Sequence, residues 1–136
     1  MTEDHGSRIR RIVEAFEAKR KSDGDRLRAF SDAWRKLEAE VIVKLLEQTK
    51  VELDLSDESI SARTEKQERG LILQVFRDSK PFLLRFAPDF VDCHVRVEAE
   101  FPGEASDKKS FPLDALTPDL VSQSISAFLS RALEVG

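Results

Sequence analysis

Chemistry in this chain would have to start at Cys93-His94, the one place where a thiol stands beside an imidazole. A cysteine nucleophile needs a base within hydrogen-bond reach of its sulfur. The surrounding residues oppose that use. Val91, Cys93, Val95, Val97, Ala99 and Phe101 alternate with Asp92, His94, Arg96, Glu98 and Glu100. Such alternation marks a strand, whose successive side chains leave on opposite faces. Cys93 then belongs to the apolar side, where a free cysteine acts as a small hydrophobe. No catalytic residue is assigned.

The other candidates fail on type or spacing. Two histidines, one of them at position 5, and a single cysteine do not compose a metal site. Asp54-Leu55-Ser56-Asp57-Glu58, with Glu65 further on, has the outline of a calcium loop. Ser59 holds the place that needs glycine, so the segment is read as a turn ahead of a strand. The five glycines are scattered, which leaves no phosphate-cradling loop, and no serine stands in a G-x-S-x-G context. No metal and no cofactor are expected, and the chain leans away from an enzyme.

Net charge is −4, unevenly spread. Residues 1–50 hold 12 basic and 10 acidic side chains, and residues 51–136 hold 10 and 16. Arg8, Arg10 and Arg11, then Lys19, Arg20 and Lys21, then Arg26 and Arg28 form basic clusters that could meet phosphates. A nucleic-acid-associated regulator is therefore the alternative function. Glu14, Glu17, Asp23 and Asp25 interleave with these bases, as on a solvated helix. The outer side of the last long strand is acidic and lacks the aromatics that stack bases. Nucleic acid is not expected as a partner.

The elements follow from periodicity. Leu27, Phe30, Trp34, Leu37, Val41 and Leu45 recur at spacings of three and four, which lays them along one side of a helix. Residues 7–21 form a helix of their own, with Ile9, Ile12, Val13 and Phe16 on one side. Ser22-Asp23-Gly24-Asp25 favours a break, so a hairpin or sharp kink is expected there. The apolar residues before and after it nonetheless share one phase, as a continuous helix would require. From Val41 the stripe broadens to Ile42, Leu45 and Leu46, like a helix crossing a sheet.

Beyond residue 50 the period falls to two. Ile60, Ala62 and Thr64 suggest a weak edge strand; 71–76, 82–87 and 91–101 suggest three stronger ones. Phe111 and Leu113 add a short fifth. Connections this short imply an antiparallel meander. Thr117-Pro118 caps a last helix with Leu120, Val121, Ile125, Phe128, Leu129 and Leu133 on one face. The expected fold is α+β over 1–136: a helical segment 1–50, either one long helix or a hairpin, a four- or five-stranded antiparallel sheet 58–114, and a C-terminal helix 117–134.

Apolar residues are 40% of the chain and charged residues 35%. No apolar run approaches about 18 residues, and Met1-Thr2-Glu3-Asp4-His5 leads into no secretory core. With its single cysteine, the chain reads as a soluble cytoplasmic protein that spans no membrane. Two features point to association. Phe30, Trp34 and Leu37 form a narrow helix–helix seam with more apolar surface than the first helix can cover, so Trp34→Glu is expected to release monomer. Ile72, Phe76 and Leu83 point away from the helix-facing side of the sheet, where a partner or the C-terminal helix must cover them. The reading is a protein-binding, chaperone-like interaction module that forms a homodimer. In size, acidity and mixture of elements it is similar to small acidic secretion chaperones, a likeness that no motif carries.

Overall fold

The structure is a computed structural model that describes residues 4–68 and 70–135. One helix runs without interruption through α1 (His5–Leu37), a π-helical turn (Glu38–Ile42) and α2 (Val43–Asp54). Its length is about 75 Å at a rise of about 1.5 Å per residue. The Asp4 carboxylate starts it by accepting the Ser7 N–H at 2.7 Å. The hairpin or kink expected around Gly24 is absent. One glycine in a helix costs about 1 kcal/mol, too little to stop elements that are in phase on both sides.

The π-turn reconciles the narrow stripe with the broad one. Val43 donates its N–H to the Glu38 carbonyl, five residues back, so this turn holds an extra residue. Phe30 and Trp34 are buried ahead of it, Ile42 at its end, and Leu46 and Leu53 behind it. In a regular helix the eight-residue step from Trp34 would turn Ile42 about 80° off that face. The wider turn brings Ile42 back over the sheet.

The sheet is an antiparallel meander in the order β1-β2-β3-β4-β5. Its strands are β1 (Ile60–Gln67), β2 (Gly70–Arg77), β3 (Lys80–Asp89), β4 (His94–Glu100) and β5 (Asp107–Pro112). β2 and β3 are the apolar centre, and the flanking β1 and β5 are mostly exposed. Gly70 is required where it stands. Its φ is +139°, and a Cβ there would lie 2.2 Å from the Phe86 carbonyl oxygen.

After β5, Leu113–Ala115 make a 3-10 turn, and α3 (Pro118–Ala132) begins at Thr117, whose hydroxyl accepts the Leu120 N–H. Leu113, expected to close the fifth strand, belongs to that turn. Val121, Ile125 and Phe128 of α3 enter the same core as Phe30, Trp34, Ile42 and Leu46 of the long helix. Leu73, Val75, Leu84, Phe86, Val95 and Val97 supply the sheet side. Both helices therefore lie on one face of the sheet, in two layers.

The fourth strand starts later than its alternation predicts. The Asp89 carboxylate accepts the N–H groups of Val91 at 3.0 Å and Asp92 at 3.1 Å, and Cys93 takes a left-handed φ of +54°. Val91 and Cys93 are turn residues, and the ladder begins at His94. No helix among the described residues is long and apolar enough to cross a membrane.

Candidate interaction site

Up to Ala29 the long helix touches little of its own chain. From Asp4 to Ala29 every residue is exposed except Ser7 and Gly24, which are half-buried. The sheet reaches no further along the helix than Phe30. The stripe that is buried at Phe30 and Trp34 consequently continues into water. Ile9 is 46% exposed, Ile12 65%, Val13 46% and Phe16 58%, and Leu27 stands at 40%. These large apolar side chains stand on one helix face and are covered by no other element among the described residues.

Where the helix meets the body, an open cleft of about 920 Å³ lies between it and the β3–β4 turn. Phe30, Ala33, Leu37 and Val41 form its helical wall, and Cys93, Pro112 and Leu113 contribute the apolar part of the other. Arg26, Lys36, Glu40, Asp92, His94 and Asp114 rim it. Arg26 donates to the Asp92 carbonyl at 3.3 Å and so ties the helix to the turn at one end. Phe90 from that turn packs edge-on against Phe30.

The seam residues fall into two groups. Phe30 and Trp34, expected at a subunit interface, are 6% and 4% exposed and belong to the chain's own core. Leu37 is half-buried, packing against the core while lining the cleft. The apolar surface left over is upstream, at residues 9–16. A hairpin around Gly24 would have covered it against the second helix, whereas the continuous helix that the shared phase also allowed leaves it open.

On the far side of the sheet, Ile72, Phe76 and Leu83 stand away from both helices, and α3 does not cover them. Ile72 is nonetheless almost fully buried, because the register seats it between Glu65 and Arg85. Long charged side chains cover apolar surface with their stems. Arg85 is held there by Glu98 at 3.1 Å, and Glu98 is itself buried. Phe76 and Leu83 are half-buried, opposite Ser61 and Pro81 in one case and Gln74 and Glu100 in the other. This face is largely closed by its own polar side chains.

Cys93 and His94 both border the cleft, contrary to the opposite-face placement expected on a strand, because Cys93 precedes the ladder. Among the described residues no hydrogen bond joins them, and no group of three or more His, Cys, Asp and Glu is placed to hold a metal. Asp54 ends the long helix with a bond to Lys50, Asp57 accepts the Ser59 N–H, and Glu65 lies exposed on β1. Nothing gathers these into a calcium loop. The basic side chains at 8, 10, 11, 19, 20 and 21 are all exposed on α1, with Glu14 and Glu17 among them. Comparison with protein-family models, curated proteins and solved structures returns no match.

Proposed function

We propose that this chain is a non-enzymatic interaction module that self-associates through the free half of its long helix. One observation carries the reading: Ile9, Ile12, Val13 and Phe16 stay exposed along a helix whose downstream half is already packed on the sheet. An uncovered helix of this kind gains little from propensity alone, since most helix stability in proteins comes from burying an amphipathic face. A partner surface supplies that burial. The cleft beside Phe30 and Leu37 gives the body a second apolar feature suited to a helix.

Light scattering on the intact chain tests this. The wild type is expected as a dimer of the 15.5 kDa chain, and Phe16→Glu as a folded monomer with unchanged β-sheet signal. A wild type that remains monomeric at about 100 μM overturns the proposal, since mass action favours any modest homodimer at that concentration. The exposed basic clusters favour a second reading, phosphate contact. It requires affinity for DNA or RNA that falls linearly with salt in log–log terms.

A further inference from the structure

We infer that the cleft beside Phe30 receives residues 9–16 of a second copy, and that the two long helices pair antiparallel about a two-fold axis between Lys21 and Ser22. This rests on the self-association proposed above and specifies its geometry. Ile9, Phe16, Phe30 and Leu37 are separated by multiples of seven residues, as are Ile12 and Ala33. The free stripe and the helical wall of the cleft therefore occupy the same positions of one heptad frame. An antiparallel partner on that frame sets Phe16 against Leu27 and lays Ile9, Ile12 and Val13 along the open side of the cleft at Ala33 and Leu37, while Phe30 and Trp34 stay covered by the chain's own core. Phe30 and Ala33 line the cleft, and Leu27 is one of the exposed apolar residues leading to it.

Charge selects this direction. The frame running through Ile9, Val13, Phe16, Leu27, Phe30 and Trp34 is interrupted twice, by Arg20 and Asp23. In the antiparallel register Arg20 of each copy faces Asp23 of the other, so both interruptions are neutralised. Parallel pairing would stack Arg20 on Arg20 and Asp23 on Asp23, which is repulsive at both levels. Arg20 already lies along the stripe, its guanidinium 5.9 Å from the centre of the Phe16 ring. The arrangement is closed. Each copy offers one stripe and one cleft and fills both, so the pairing ends at two chains.

The test uses the full chain in a Cys93→Ala background with a spin label at Ser7→Cys. Antiparallel pairing places the two labels about 45 Å apart, from the helical rise and an interaxial distance of about 10 Å. A label–label distance near 10 Å means parallel helices and overturns the inference while leaving self-association intact. Absence of coupling at concentrations where the wild type is dimeric overturns it also. In parallel, Arg20→Asp and Asp23→Arg should each weaken the dimer by about tenfold, and the double exchange in one chain should restore it to within a few-fold. A double variant as weak as the singles rejects the Arg20–Asp23 pairing. A monomeric wild type rejects both this geometry and the proposal beneath it.

Discussion

Phe30 and Phe90 meet edge to face, with ring centroids 5.7 Å apart and planes at 85°. This contact closes the body of the protein against the long helix, and one turn upstream only the Arg26 bond to the Asp92 carbonyl remains. Phe30→Ala should cost about 3 kcal/mol, for a buried ring lost from the core. Phe90→Ala should cost about 1 kcal/mol because its ring is partly exposed. A double-mutant cycle by urea denaturation should return a coupling of about 1 kcal/mol between the rings. Additive losses would mean that the two rings do not act as a pair.

Trp34 is buried in the core of a single chain. Trp34→Glu should therefore unfold the protein, by placing an unpaired charge among Leu, Ile and Phe side chains. This corrects the expectation, from its place in the helical seam, that the substitution merely frees monomer. Far-UV circular dichroism and the light-scattering mass of the variant distinguish the outcomes. A folded Trp34→Glu monomer would move Trp34 from core to interface.

Gly70→Ala should be among the most damaging single-methyl changes available. The new Cβ meets the Phe86 carbonyl on the neighbouring strand, and the backbone angle disfavours any side chain. A loss of about 3 kcal/mol is expected, or a fall in Tm of roughly 8 °C. An unchanged Tm would show that β2 can shift away from β3 at this end.

Acid should loosen the β3–β4 turn. The Asp89 carboxylate is held below its ordinary value of 3.8 by the backbone N–H of Asp92 and then that of Val91. A carboxylate depressed in the folded state stabilises the fold above its ordinary value. That contribution drains away as pH falls through the lower, folded value. Unfolding midpoints should drop as pH falls below about 4, and Asp89→Asn should flatten that drop by keeping an acceptor that does not titrate. Equal slopes for the two proteins would remove Asp89 from the acid response.

The order of the strands was legible because their apolar runs are separated by turns too short for crossovers. The edge position of β1 was legible because Arg63, Glu65 and Lys66 leave it little to bury. What escaped was cumulative or remote. Gly24 between two aspartates has the composition of a break, so residue types alone left hairpin and continuous helix both open, and only the shared phase spoke for the helix that forms. Val91 and Cys93 continue an alternation by residue type, while the Asp89 carboxylate decides locally that they turn. The cleft was invisible for another reason. It joins Phe30 and Leu37 to Cys93 and Leu113, residues that only the packed helix and sheet bring to one place.

The two outer strands set a limit of a different kind. An open sheet presents unpaired N–H and C=O groups at each margin, where another chain can add strand by strand and grow into a fibre. Here one margin carries Arg63, Glu65 and Lys66 and the other Asp107, Lys108 and Lys109. A copy brought alongside either margin would have to strip water from these charged side chains before its backbone could bond. The charged margins should keep sheets from joining when the protein is concentrated, and a substitution such as Lys109→Val should make it precipitate on storage well before it changes the fold.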